Sequence, residues 1–458
     1  MATKAAILRA YWQARRRRRW SRSEIERHQL AGMRALPGLG SAVTLDDALA
    51  CLPVLSPRDF NAEFLERNAL GLSLEEARHR ASYELDTGVS PEPGYSFGLS
   101  TGSTGDPGVF ITTAGERAQW VGTILGKVLS WPAFLRPGGL DIALLLKHNS
   151  RLYTDVTETG RLRLHYFDVA DPVRAWAPKI AALQPQILVA PPSALLDLVD
   201  ALTGDSPSGG VGIHPRLILA VGEPLFPADR ATLGGAFDSV PRGVYQAKEG
   251  FLATGCARGR LHLNEDLQVF ELAAFPDQSE IGQGSDRDHS PGSLHRLERA
   301  VPVFTDFTST SQSYWRYRMD DVVLLDSSPC ACGSRYTTLA AVEGRLTDVL
   351  LRRDDSPVFP LELDALLARH LPAGARSAVT QEAPGRFTLA VDGEASAHLL
   401  HELRALFGSP DSAAPVEIEI TRYEPPARGE KLRRFRRLFD PSSEILTRAL
   451  LPPLRPSP

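Results

Sequence analysis

Residues 187–225 read ILVAPPSALLDLVDALTGDSPSGGVGIHPRLILAVGEPL. Two short apolar runs, Ile187–Ala190 and Leu217–Val221, flank a stretch over Ala194–Leu202 with apolar residues at helical spacing. A third run, Ile142–Leu146, and a further helical stretch, Val173–Leu183, precede them. Strands that are apolar throughout and alternate with helices predict a parallel sheet covered on both faces, an α/β fold. Ligands of such sheets bind at the carboxyl ends of the strands.

Working outward, the pattern after about residue 345 is that of a smaller unit. Leu361–Leu371 and Ala397–Phe407 read as helices, and Phe387–Val391 and Val416–Ile420 as strands. The segments PPARGEKLRRFRRLFD and LPPLRPSP read as loop and tail. Toward the N-terminus, Thr44-x-x-Asp47 and Ser73-x-x-Glu76 are capping boxes ahead of helices. Leu45, Ala48, Leu49 and Leu52 give the first of these an apolar face, with Cys51 beside it as a structural thiol. The run Arg15–Arg19 reads as a solvated helix face beside Trp12 and Trp20 rather than a nucleic-acid or lipid patch. Residues 274–295, rich in Gly, Ser and Asp, read as an exposed loop.

Composition narrows the function classes. The chain has 458 residues, 43% hydrophobic and 23% charged, which suits a globular protein with a large core and argues against disorder. Its net charge of −4 gives no reason to expect a nucleic-acid partner. No apolar run reaches the ~20 residues that span a bilayer, and the first residues carry no leader pattern. Only 4 cysteines are present, which suits a reducing cytoplasm. Lysine is scarce beside arginine, so a lysine within a motif is notable: Lys4, Lys127, Lys147, Lys179, Lys248 and Lys431 are the whole set.

Residues 99–108 read LSTGSTGDPG, ahead of a helical pattern that starts at Ala114. Ser100, Thr101, Gly102, Ser103, Thr104 and Gly105 offer hydroxyls and approachable backbone N–H groups to a phosphate. A flexible surface loop has the same composition. The Gly-Lys-Ser/Thr ending of a Walker loop is missing. Further segments follow in order: Val221-Gly222-Glu223-Pro224-Leu225, Tyr245-Gln-Ala-Lys248-Glu249-Gly250, Arg316-Tyr-Arg-Met-Asp320-Asp321, Glu343-Gly344-Arg345-x-x-Asp348 and Lys431-x-x-Arg434. Together they resemble the motifs of the adenylate-forming superfamily of acyl- and aryl-CoA ligases. Gly259-Arg-Leu-His-Leu-Asn-Glu-Asp266, Pro302-x-Phe-Thr-Asp306-Phe307 and Cys330-Ala-Cys332-Gly333 are most similar to the phenylacetate–CoA ligase branch and its deazaflavin-coenzyme-adenylylating relatives.

The resemblance implies a large N-terminal domain of parallel-sheet α/β layers over 1–344. A small, mobile α+β C-terminal domain over 345–458 would carry the catalytic-lysine loop. It implies ATP as substrate, with the loop 100–105 on the β/γ-phosphates, Gly222 and Glu223 on the adenine side, and Tyr245 among the nucleotide-binding residues. Glu249 would hold Mg2+, Asp321 the ribose hydroxyls, and Arg345 would sit near ribose and phosphate. Lys431 would place its charge between the acid and the α-phosphate. Each has a plainer reading: Asp321 as a solvated loop residue, Glu249 as a helix N-terminal carboxylate, Lys431 as part of a basic tail. Two departures stand out. Gly108 occupies a position where many relatives carry Lys, and Lys248 one where the family usually has Thr. Lys248 either pairs with a phosphate, pairs with a small anionic substrate, or points outward.

Cys256, His262, Cys330 and Cys332 form a Cys3His set suited to structural zinc; the alternative is three buried thiols and a core histidine. The expected function is ATP-dependent adenylation of an acid, aromatic by family branch. Transfer to a thiol of CoA or of a carrier protein's phosphopantetheine arm follows, in secondary metabolism. The alternatives are activation of nitrite for diazotisation of an aryl amine, and a catalytically degenerate nucleotide-binding protein.

Overall fold

A computed structural model describes residues 2–99, 108–134, 138–146, 161–204, 212–275, 297–372, 374–408, 415–425 and 432–441. Polar caps set the starts of the N-terminal helices. After α1 (Ala2–Arg17), helices α2 (Arg22–Arg34), α3 (Leu45–Ala50), α4 (Pro57–Ala62) and α5 (Leu74–Thr87) each open on a capping box, Ser21/Glu24, Thr44/Asp47, Ser56/Asp59 and Ser73/Glu76. A hairpin of β1 (Tyr95–Leu99) and β2 (Val109–Thr113) leads into α6 (Ala114–Val128), capped in the same way by Thr113 and Glu116.

Helix α1 lies against α6 at close range because α6 presents Gly122 and Gly126 there. A Cβ on Gly126 would stand 2.5 Å from the carbonyl oxygen of Tyr11. The arginine run is not a plain solvated face, contrary to the sequence reading. Arg15 donates to Leu129 O (2.8 Å), Arg17 to Asp266 O (3.2 Å) and Arg18 to Lys127 O (3.2 Å). Arg15 and Arg18 thus meet carbonyls at the end of α6, where a helix carries partial negative charge.

The main sheet holds β3 (Leu140–Leu146), β4 (Leu162–Asp168), β5 (Ile187–Ala190), β6 (Leu217–Val221), β7 (Arg242–Ala247), β8 (Gly250–Gly255), β9 (Leu261–Leu263), β10 (Gln268–Ala274), β11 (Leu297–Asp306), β12 (Tyr317–Arg318), β13 (Asp321–Asp326) and β14 (Thr338–Arg345). Its order is β10-β11-β13-β14-β9-β8-β7-β6-β5-β3-β4, with β12 beside β11. The half from β4 to β7 is parallel, as expected. Both its faces are covered. Ala143, Leu145, Leu188, Ala190, Ile218 and Ala220 face helices α8 (Val173–Leu183), α9 (Pro192–Gly204) and α10 (Pro227–Phe237), which follow the short α7 (Trp131–Phe134). The alternate residues Ile142, Ile187, Leu217 and Leu219 face α1 and α6.

The other half, from β7 through β10, is antiparallel and lies beyond the strands that the parallel reading named. Among the described residues its strands follow one another without crossover helices, so no helical segment signals them.

A second sheet, β19-β18-β17-β20, is built from β17 (Ser377–Ala383), β18 (Arg386–Val391), β19 (Glu417–Arg422) and β20 (Phe435–Arg437), after the small ladder of β15 (Leu350–Leu351) and β16 (Pro357–Val358). Helices α11 (Pro360–His370) and α12 (Ala397–Phe407) cover it, with Leu363, Leu367, Phe387, Leu399, Phe407 and Phe435 in its core. Phe435–Arg437 is therefore a strand, not loop; its parallel pairing to β17 is a long-range event. Cys51 is exposed, its thiol donating to Asp47 O, so it is not part of a core. The expected loop at 274–295 lies, after Phe275, outside the described residues. Among the described residues no helix is long and apolar enough to cross a membrane.

Candidate active site

A cleft of about 2110 Å³ opens at the carboxyl ends of β6 and β7 and continues to the second sheet. Strand β6 ends at Val221, where Gly222 (φ +77°) takes a left-handed turn that L side chains rarely adopt. Glu223 follows and accepts from the backbone N–H (3.1 Å) and hydroxyl (2.9 Å) of Ser193, so it braces the start of α9. Strand β7 delivers Tyr245, and the tight connection to β8 delivers Lys248 and Glu249. Glu249 thus lies in a strand-to-strand turn, not at a helix N-terminus.

Tyr245 donates to Asp321 Oδ2 at 2.6 Å, linking the end of β7 to the start of β13. Asp321 keeps only 16% of its side chain exposed, and Arg345 Nε lies 4.0 Å from its Oδ1. The aspartate is therefore a partly enclosed group, not a solvated loop residue. Burial pushes its carboxyl up to about 6, against the lowering pull of Arg345 and the Tyr245 hydrogen bond. Burial likewise raises the neighbouring Asp320. Tyr317, within β12, donates to Glu249 Oε1 at 3.0 Å, and burial raises its phenol.

Lys248 is 21% exposed, with Nζ 3.5 Å from Glu249 Oε1. Its stem runs along Gly108: a Cβ at 108 would stand 2.6 Å from Lys248 Cδ. The two departures noted in the sequence are thus one feature in space, since the missing side chain at 108 leaves the room that Lys248 fills. Ser100, Thr101, Gly102, Ser103, Thr104 and Gly105 lie outside the described residues, as does Lys431. The residues after Lys431, Leu432 and Arg433, line the cleft.

Arg345 Nα–H donates to Asp348 Oδ2 at 2.8 Å, and Arg433 Nε donates to Asp348 Oδ1 at 3.0 Å. Arg434 lies 3.2 Å from Asp229 of α10 and 3.0 Å from Asp364 of α11. Tyr317, Asp348 and Arg433 were given no role from sequence. All three lie inside quoted segments, but only proximity shows their partners.

Cys256, His262, Cys330 and Cys332 come together from the residue after β8, from β9 and from the segment between β13 and β14. Cys256 Sγ lies 3.7 Å from Cys330 Sγ, and Cys332 Sγ lies 3.3 Å from His262 Nε2. Tetrahedral zinc at about 2.3 Å from sulfur and about 2.0–2.1 Å from nitrogen separates its ligand atoms by about 3.4–3.8 Å. His262 Nδ1–H faces Tyr336 O at 3.3 Å, which leaves Nε2 as the ligand nitrogen. Hydrogen bonding from Cys332 holds the Cys256 thiol below its ordinary value.

No protein-family model matches the chain. No curated protein matches it either. Solved structures do. Two structures of 2-hydroxyisobutyryl-CoA ligase in the postadenylation state, with 2-HIB-AMP and with R3-HIB-AMP, match over 96% of this chain and 90% of theirs, at 18% identity and TM-scores of 0.61 and 0.60. An open conformation of that ligase, with 2-HIB-AMP and CoA, matches 95% of this chain and 91% of its own at 16% identity and a TM-score of 0.51.

The chain shares the fold of 2-hydroxyisobutyryl-CoA ligase.

Within this fold, the described members of the expected site fall into two places. Gly222, Glu223, Tyr245, Lys248, Glu249, Asp321 and Arg345 line the one cleft. The Cys3His set stands apart from it, at the far ends of β8 and β9.

Proposed function

We propose that this chain is an ATP-dependent ligase that adenylates a carboxylic acid of the aromatic class. It then passes the acyl group to a thiol of CoA or of a carrier protein. In the first step an acid oxygen attacks the α-phosphorus, the bond to the bridging oxygen breaks, and pyrophosphate leaves. In the second, sulfur attacks the acyl carbon, AMP leaves, and the thiol proton passes to solvent. The observation that carries this reading is the convergence of Tyr245–Asp321 and Lys248–Glu249 on one cleft at the carboxyl ends of β6 and β7.

In this reading Asp321 accepts from the ribose hydroxyls, Tyr245 flanks the adenine, and Arg345 lies over the ribose and α-phosphate. Gly222 and Glu223 shape the adenine side. Ser100–Gly105 hold the β/γ-phosphates with backbone N–H groups and hydroxyls. Lys248, seated against Gly108, adds a cation beside that loop. Glu249, 8% exposed and oriented by Tyr317, is the group that would hold Mg2+, whose charge screens the phosphates. Lys431 is the lysine whose charge would fall between the acid and the α-phosphate; Leu432 and Arg433, which follow it in sequence, line the cleft. Residues 1–344 form the adenylating core and 345–458 the smaller domain that brings Lys431. The spacing of Cys256, His262, Cys330 and Cys332 fits structural zinc, with four protein ligands and no position left for chemistry. The aromatic class and a secondary-metabolic setting rest on the likeness of the marker segments to the phenylacetate–CoA ligase branch.

ATP–pyrophosphate exchange across benzoic, hydroxybenzoic, phenylacetic, cinnamic and fatty acids, with nitrite included, tests the proposal. Exchange with an aryl acid, abolished in Lys431→Ala while ATP still binds, is the expected result. Exchange with nitrite alone would replace the acid by nitrite and make Lys248 its anion partner. Silence throughout would overturn the ligase reading.

A further inference from the structure

The second sheet carries a cluster that the adenylation reading does not use. His370 ends α11, and His398 and Glu402 stand one turn apart on α12. The three side chains meet where the two helices pack: His370 Nε2 lies 3.3 Å from Glu402 Oε2, and His398 Nε2 lies 3.3 Å from Glu402 Oε1. The two imidazole rings are 5.0 Å apart at 73°. Nε2 of His370 is buried and makes no hydrogen bond of good geometry. Glu402 also meets Arg369 at 3.0 Å, a 66% exposed side chain that can swing into water.

We infer that His370, His398 and Glu402 form a binding site for a divalent transition ion of the zinc–nickel–copper group, separate from the Cys3His set. Two imidazole nitrogens and a carboxylate oxygen are the donors these borderline ions favour. The 3.3 Å separations match the edge of a tetrahedron around an ion about 2.0–2.1 Å from each donor. Three protein ligands leave a coordination position, and His398, 70% exposed, opens it to solvent. The ion would clamp the end of α11 to the start of α12, the two helices that cover the second sheet. None of the three residues lines the adenylation cleft, so the site stands independently of the proposed activity.

The test is calorimetric titration of the intact, zinc-replete protein with Ni2+, alongside the melting temperature. Wild type should bind about one Ni2+ with no thiolate-to-nickel absorption band and melt higher in its presence. His398→Ala should lose at least about tenfold in Ni2+ affinity and lose the thermal gain. His398 is exposed, so this variant should fold, and its ATP–pyrophosphate exchange without nickel should equal that of wild type. Glu402→Gln should behave as His398→Ala does. Absence of Ni2+ binding up to millimolar concentration, or binding unchanged in both variants, would overturn the assignment.

Discussion

Tyr245→Phe removes one oxygen and tests how the cleft controls Asp321. The carboxyl of Asp321 titrates at about 6, against an ordinary 3.8. At about 1.4 kcal/mol per pH unit, the fold makes the charged form about 3 kcal/mol harder to keep than water does. Because the folded value is raised, this group favours the fold at low pH. That contribution is fully present below about 4 and is lost as pH rises through 6. The Tyr245 hydroxyl, donating at 2.6 Å, opposes the loss by supporting the charged form. A hydrogen bond to a charged group is worth about 1.5–3 kcal/mol. Removing it should therefore move Asp321 upward by roughly 1.5 pH units, to about 7.5.

Two readouts follow. In urea unfolding, Tyr245→Phe should lose about 2 kcal/mol at pH 8 and much less at pH 5, where the carboxyl is protonated in both proteins. In ATP–pyrophosphate exchange, the acid limb of the pH profile should move up by about the same 1.5 units, since a protonated Asp321 accepts poorly from ribose hydroxyls. Equal destabilisation at pH 5 and pH 8, with an unmoved acid limb, would refute the idea that Tyr245 sustains a charged Asp321 at the nucleotide.

Further outcomes are expected. Gly108→Ala pushes a Cβ into the Lys248 stem; it should cost about 1–3 kcal/mol of stability and lower exchange. The Gly108→Ala/Lys248→Ala double variant should exchange no worse than Lys248→Ala alone, because both act through one side chain; additive losses would separate the two positions. Elemental analysis of purified protein should find about one zinc per chain, lost with a fall in melting temperature in Cys332→Ser. Arg299 Nε stands 2.6 Å from the buried Glu343, whose carboxyl is raised by burial and lowered by that arginine. Arg299→Ala should destabilise the chain by about 3–5 kcal/mol near neutral pH, and less in acid where Glu343 takes a proton; chemical denaturation at both pH values measures this.

What could be read from the sequence was local. Val173–Leu183, Ile187–Ala190, Leu217–Val221 and Ala397–Phe407 hold to the residue, and the caps at Thr44 and Ser73 form as their spacing implies. Apolar period and capping act within a turn or two of chain, so they survive without knowledge of the fold. The order of the motif segments also marked the residues that line the cleft. Tertiary structure alone decided the rest. The antiparallel half of the main sheet and the pairing of Phe435–Arg437 with β17 depend on partners far away in sequence. So do the approach of Cys256 Sγ to Cys330 Sγ and the seating of Lys248 against Gly108. Register between distant strands sets which side chains meet, and no local pattern encodes that choice.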